Sequence, residues 1–416
     1  MFLQRSAGFA FLLCATSMAA AGDWPQWRGP NRNGISSETG LLKEWPKEGP
    51  PVVWHAKSVG DGYSTPSVVG DRIYLLSNQG SDEESVQALS AADGSQIWAT
   101  PIGGVGKNTG PQYPGARSTP TVDGEYLYVL GSDGDIAAVK AASGEVRWKK
   151  NVRSEFGGAP GAWAYSESPL VDGDKLICSP GGKTATLVAL NKETGDVIWK
   201  SALEEGDEAG YSSVIAVEIG GAKQYVQFLG KGLVGVDAAT GRFLWRYEKT
   251  AKGSPANIPT PVANGTMIYS AAARSGGGLV RLNVTDGMPQ AEEVYFKPKL
   301  PSSIGGSVNV GDYLYGTTRE GFLCVEFATG EVKWQSRSLG ASSILYADER
   351  LYIHGENGDL ALVEATPEEY REKGRFTPPD MPDRGKSKSW TYPVIANGRL
   401  YVRELSSLWC FDVKAK

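Results

Sequence analysis

One hydrophobic rhythm recurs along most of the chain. A Pro- or Ser-led stretch with apolar side chains at alternate positions runs into a tight polar turn and out again. Examples are STPSVVGDRIYLLS (64–77), STPTVDGEYLYVLG (118–131) and PTPVANGTMIYSA (259–271). Alternation of period two marks strands with one buried face, and Gly-Asp, Asp-Gly or Asn-Gly between two such strands marks a hairpin. Eight hairpins of this kind begin near residues 64, 118, 167, 212, 259, 306, 342 and 391. A second phrase follows most of them: an apolar strand, a turn with Thr, Ser or Asp before Gly, then Trp four residues after the Gly. It reads VQALSAADGSQIW to Trp98, IAAVKAASGEVRW to Trp148 and TLVALNKETGDVIW to Trp199, then LVGVDAATGRFLW to Trp245 and FLCVEFATGEVKW to Trp334. The unit LVRLNVTDGMPQAEEVYF keeps Asp286-Gly287 but has no Trp.

Each period thus encodes four antiparallel strands: a hairpin (A and B), strand C, and strand D bearing Trp. A four-stranded sheet with two apolar faces cannot bury both alone, and stacking such sheets into a closed ring removes the exposed ends. Repeats of 40–50 residues with four strands each predict a propeller. The expected fold is all-β, an eight-bladed β-propeller of four-stranded antiparallel blades. The last hairpin and its strand C, LWCFDV (408–413), leave no room for a strand D, whereas PPVVWHAK (50–57) near the start is a spare strand with Trp54 lying 44 residues before Trp98. We therefore expect the N-terminal strand to close the last blade. In the seventh unit Thr-Pro-Glu-Glu-Tyr (366–370) replaces the Gly turn; Pro at a first helical position with acidic residues after it predicts a short helical start there.

Composition narrows the class. Glycine numbers 53 of 416 residues, which excludes a helical bundle, and a hydrophobic share of 41% excludes disorder. A net charge of −5 disfavours nucleic acid as a partner. Residues 1–21, with Arg5, an apolar run from Ala7 to Ala15 and small residues up to Ala21, have the three parts of a secretory signal peptide. Leu13 precedes Cys14, where a lipoprotein signal needs a small residue, so the expected product is periplasmic or secreted and not a lipoprotein. Residues 22–416 are then a single propeller, expected to be monomeric and without a transmembrane segment. Cys178, Cys324 and Cys410 are too few and too far apart for a disulfide framework, and free thiols are expected. Cys324 and Cys410 share a strand-C slot held elsewhere by Ala88, Ala138, Ala189, Gly235 and Ala361, so Cys there reads as a small buried apolar residue.

The phrases VDAATGRFLW and ALNKETGDVIW resemble the pyrroloquinoline-quinone (PQQ) repeat, and the resemblance extends from about Trp54 to Asp412. That repeat builds the propellers of quinoprotein alcohol dehydrogenases and of the propeller lipoprotein in outer-membrane barrel assembly. The opening DWPQWRGPNRNG (23–34) is similar to the start of exported propeller proteins described as quinone-binding-like. The resemblance implies a structural docking role for Trp54, Trp98, Trp148, Trp199, Trp245 and Trp334. It also raises PQQ-dependent oxidation of alcohols or sugars. Quinoproteins of that kind hold the cofactor beside a disulfide of adjacent cysteines, with Ca²⁺ on Glu, Asn and Asp; this sequence has no Cys-Cys pair. With only His55 and His354, it offers no His-rich metal site either. No catalytic residue, metal or cofactor is expected, PQQ with calcium belonging only to the alternative.

Loops between blades and between strands B and C share one face of a propeller and surround its channel. Residues just before strand A are Tyr63, Arg117, Tyr165, Glu167, Tyr211, Asn257, Ser303, Ser342 and Trp390; the B–C loops add Lys183, Lys231, Arg274, Arg319 and Arg403. These are the candidate contacts for a ligand or partner, with Tyr113 and Trp163 from the long loops nearby. The expected function is a non-catalytic binding or scaffolding module of the cell envelope. The alternatives are a PQQ-dependent oxidoreductase and capture of a glycan or small molecule in the channel funnel.

Overall fold

Eight blades of four antiparallel strands follow one another along the chain in the computed structural model, the seventh carrying a short fifth strand in parallel; the structure describes residues 22–108, 115–285, 287–337 and 339–415. The expected signal segment (1–21), Tyr113 and Asp286 lie outside the described residues. The first blade runs Ser67–Val69, Arg72–Gln79, Glu83–Ser90 and Gln96–Gly104, in that order across the sheet. The next five blades repeat the scheme, with strands A beginning at Thr121, Leu170, Ile215, Val262 and Ser307. The eighth blade takes three strands from the C-terminus and its fourth, Val52–Ala56, from the N-terminus; Trp54 lies opposite Cys410 and Ala56 opposite Leu408. The chain is an eight-bladed β-propeller, closed as its sequence predicts.

The Trp and Gly of the repeat belong to one contact between neighbouring blades. The strand-D indole of one blade lies over the Gly of the next blade's C–D turn and donates its Nε1–H to the carbonyl three residues before that Gly. Trp54 donates to Ala91 (3.0 Å), Trp98 to Ala141 (3.1 Å), Trp148 to Lys192 (2.9 Å) and Trp199 to Ala238 (3.3 Å). A Cβ on Gly144 would stand 2.7 Å from the Trp98 ring, and the residue's φ of +78° is itself a glycine conformation. Within its own sheet each Trp faces the small strand-C slot: Trp98 opposite Ala88, Trp334 opposite Cys324, Trp245 opposite Gly235. The slot is small because the ring fills the space above it. Cys178, Cys324 and Cys410 are free and buried.

Departures from the repeat find substitutes. In the unit without Trp, Tyr295 donates its hydroxyl to Phe327 (2.9 Å) and lies over Gly330. Trp245 instead bonds Gln224 Oε1 of its own blade (2.8 Å), because the next C–D hairpin, Gly276–Thr285 with Met288–Lys297, is too long to place a glycine beneath it. The helical start expected at 366–370 does not form. That stretch bends without helical bonding and leads to Glu372–Phe376, which pairs with strand C as an ordinary fourth strand, and Thr366 offers its carbonyl to Trp334 (2.8 Å). The one helix among the described residues, Val152–Phe156, was not expected. Asn151 caps it by accepting from Arg153 N and Ser154 N, and Gly157 ends it.

The seam between the eighth and first blades carries an extra fastening. Arg403, expected on the funnel face, lies fully buried on strand B of the eighth blade. Its guanidinium donates to the carbonyls of Ser64 (2.9 Å), Leu76 (2.8 Å) and Gly60 (3.0 Å), and burial pulls its pKa down to about 9. A planar donor fork satisfies several carbonyls at once, which an ammonium could not do in the same geometry.

Two outcomes test this account. Deleting residues 45–57 should lower the melting temperature sharply, and an unchanged melt would show that the Val52–Ala56 strand is not what closes the ring. Gly144→Ala combines a ring clash with a strained backbone and should cost about 2–4 kcal/mol in chemical denaturation.

Candidate functional site

The segment between Gly22 and Ser36 determines what the channel can hold. It runs along the innermost strands and bonds to blade after blade. Trp24 exchanges backbone hydrogen bonds with Val68 (2.7 and 2.9 Å), Pro25 accepts from Val122 N (2.8 Å), and Ile35–Ser36 pairs in parallel with the innermost strand of the seventh blade. Arg32 donates to Ser168 (2.7 Å) and Pro169 (3.2 Å), and Arg28 to Ser307 and Asn33. Both guanidiniums are buried, which lowers their pKa values, that of Arg32 to about 10. Trp27 donates to Thr260 Oγ1 (2.9 Å) and meets Tyr392 edge to face at 4.7 Å. This pair lines the floor of a funnel-shaped cavity of about 410 Å³.

Around that floor stand two more aromatic pairs. Trp163 and Tyr211 are 5.9 Å apart, with the Trp163 N–H donating to the Tyr211 hydroxyl (3.1 Å); Tyr63 and Trp390 are 5.3 Å apart, and Trp390 Nε1 donates to Glu356 (3.0 Å). Arg117 is half-buried and donates to the Trp163 carbonyl (2.8 Å); burial pulls its guanidinium below the ordinary value, partly offset by Tyr63 and Glu84. Arg274 and Arg319, from the B–C turns of the fifth and sixth blades, also line it and are exposed. Among the described residues no Asp or Glu lines the cavity, and aromatic rings share it with three arginines.

Seven of the residues singled out from sequence therefore come together: Tyr63, Arg117, Trp163, Tyr211, Arg274, Arg319 and Trp390. The others among the described residues do not reach the cavity. Tyr165 is buried in the core, donating its hydroxyl to Pro180 (2.8 Å). Asn257 is buried and ties down Leu229 (2.6 Å) and Gly230 (3.0 Å). Glu167 is buried, accepts from Ser179 N (2.7 Å), and is pushed up to about 8 by desolvation. Ser303 and Ser342 are buried as well, while Lys183 is exposed outside the cavity and Lys231 bonds Gly206 (3.0 Å). The residue four places before strand A faces the cavity in six blades (Tyr63, Arg117, Ser166, Tyr211, Ile258 and Trp390), whereas Tyr165, Glu167 and Asn257 stand one place to either side of that register and turn inward. Sequence reasoning missed Trp27 and Tyr392. Two Trp and two Arg in a leader preceding every blade were the signal for the first, since a solvated leader has no use for them.

The donor set does not fit a calcium-bound quinone. Ca²⁺ needs several converging oxygens, yet arginines line this cavity, and among the described residues no three His, Cys, Asp or Glu side chains lie together. The histidines are engaged elsewhere: His55 stacks on Trp409 at 4.2 Å, and His354, fully buried, lies 2.7 Å from Glu404 and 3.0 Å from the Thr391 carbonyl.

Glu167 supplies a pH test. Its folded pKa is raised, so the folded state holds a proton that the unfolded state releases. Its contribution to stability is present below the ordinary carboxylate pKa and falls away as pH rises towards about 8. Glu167→Gln keeps the acceptor for Ser179 N and removes this loss. Its melting temperature relative to the parent protein should climb between pH 5 and 8, and a constant difference would contradict the buried-acid assignment.

Comparison with known proteins agrees with this architecture. The chain is 23% identical to the outer membrane protein assembly factor BamB of Shewanella oneidensis over 343 residues, covering 80% of this chain and 69% of that protein. It is 25% identical over 260 residues to the quinoprotein alcohol dehydrogenase PedH of Pseudomonas putida, covering 58% of this chain but 41% of that enzyme. The crystal structure of BamB from Moraxella catarrhalis superposes with a TM-score of 0.59 at 16% identity, over 85% of this chain and 95% of that one, and so shares the fold. A family profile matches residues 32–104 and 82–336, most of the chain, and by that match the protein belongs to the family described as outer membrane protein assembly factor BamB.

Proposed function

We propose that the protein is a non-catalytic binding module of the bacterial cell envelope that docks an outer-membrane assembly protein on its funnel face. The observation carrying this reading is the make-up of that face. It is a rigid platform of interblade loops presenting paired aromatics and arginines, the residue types enriched where protein partners anchor, with no acid–base or nucleophilic set among its lining residues. The relatives named as assembly factors support the same role. We further propose that residues 1–21 are a cleaved signal peptide and that the mature protein is a periplasmic or secreted monomer without a lipid anchor. No helix among the described residues is long and apolar enough to cross a membrane.

The oxidoreductase reading has the likeness to PedH in its favour, but the alignment spans two fifths of that enzyme, and the cavity opposes a calcium site. Reconstitution with PQQ and Ca²⁺ should give no dye reduction with alcohols or sugars; turnover would overturn the non-catalytic reading. Tagged protein should enrich outer-membrane assembly proteins from envelope extract of its host. Trp163→Ala with Arg319→Glu should reduce that enrichment at least tenfold, and recovery of none of those proteins would count against the docking role.

A further inference from the structure

The funnel has three features that a protein-docking face does not require together. Aromatic side chains line it from several blades, with Trp163 ahead of the third and Trp390 ahead of the eighth. Arg274 and Arg319 are exposed on the adjacent fifth and sixth blades, and among the described residues no carboxylate lines the cavity beside them. Ser166, three residues after Trp163, lines the cavity with its hydroxyl shielded from solvent and without a hydrogen-bond partner among the described residues. A buried hydroxyl left unpaired is costly, and a ligand that pairs it gains accordingly. The cavity is closed below by Trp27 and Tyr392, so it suits a short ligand rather than a threading chain, and about 410 Å³ is within the range of small-molecule sites.

A ligand matching all three features needs an apolar ring face, hydroxyl groups and an anionic group at one end. We propose that the funnel binds a carboxylate-bearing carbohydrate, an oligosaccharide ending in a uronic acid. Its C–H faces lie against Trp163 and Trp390, and its acid group points to Arg274 and Arg319. An aryl acid has the ring and the charge but nothing for Ser166; a neutral sugar has the hydroxyls but leaves the arginines without an anion. Arg117, anchored to the Trp163 carbonyl, adds positive potential beside Trp163. The site shares Trp163 and Arg319 with the proposed docking face, but binding to it needs only the isolated protein.

The test is calorimetric titration and tryptophan-fluorescence quenching of the purified chain with trisaccharides of galacturonic, glucuronic and mannuronic acid. The neutral hexose trisaccharides and benzoate serve as comparisons. At least one uronate should bind, at least tenfold more tightly than its neutral counterpart and than benzoate, and more weakly as salt is raised. Arg274→Ala with Arg319→Ala, both exposed and expected to leave the melting temperature unchanged, should lower that affinity at least tenfold, and Trp390→Ala should do the same. The proposal is overturned if no uronate binds, if neutral sugars or benzoate bind equally well, or if the double arginine variant binds as the parent does. Failure of the envelope capture experiment with uronate binding intact would remove the docking role and leave this site standing.

Discussion

Everything in the structure depends on an indole resting on a glycine of the next blade while its N–H reaches the carbonyl three residues upstream. The contact buries a large flat ring at the point where two sheets would otherwise meet at their outer corners, and it fixes their relative angle through one directional bond. Glycine is required beneath the ring, and a small residue is required across the strand from it. One contact therefore constrains three positions per repeat, and that is why the repeat is visible in the sequence at all. Where the ring is absent, Tyr295 keeps both the stacking and the donor, which shows that the geometry, rather than tryptophan itself, is what the ring of blades needs.

Residues 22–56 do two jobs with one segment. The first part lies along the inner strands and turns an open channel into a funnel with a floor; the second supplies the strand that completes the last sheet. A propeller that opened fully along its axis would have no reason to gather aromatics at one end. By closing the bottom, Trp27 and Tyr392 convert the surrounding loops into the walls of a site. The same segment brings two buried guanidiniums into the middle of the molecule, where Arg32 bonds carbonyls just ahead of the third blade and Arg28 a carbonyl of the sixth, while Arg28 Nε and Nη1 and Arg32 Nε have no hydrogen-bond partner among the described residues.

Much of this was legible from the chain alone: strand count, blade count, closure by the spare strand ending near Trp54, and the face that would bear loops. Hairpins and Trp turns are local patterns, and locality is what a sequence displays. The site was only half legible. Tyr63 stands four residues ahead of its first strand and faces the cavity, whereas Tyr165 stands five ahead of its own and fills the core, a shift of one residue that puts Ser166 in the lining instead. Arg403 read as a surface cation and is instead a buried staple, since its partners lie in residues 60–76, far away in sequence. The helical start at 366–370 had favourable composition, but the need to complete a fourth strand at Glu372–Phe376 prevailed over local propensity.

Closure by strands from opposite ends of the chain has a kinetic side. The first blade has its neighbour on one flank early, but the partner on its other flank comes from the last residues to be made, with Arg403 and Gly60 separated by 343 positions. Until then an unpaired sheet face and the strand Val52–Ala56 wait without partners, the situation in which non-local β-structure is slow and prone to stray association. Once joined, the circle has no weak end from which to fray. Unfolding must begin by rupturing a seam, and the time the chain survives should follow the height of that one barrier more than the sum of its contacts.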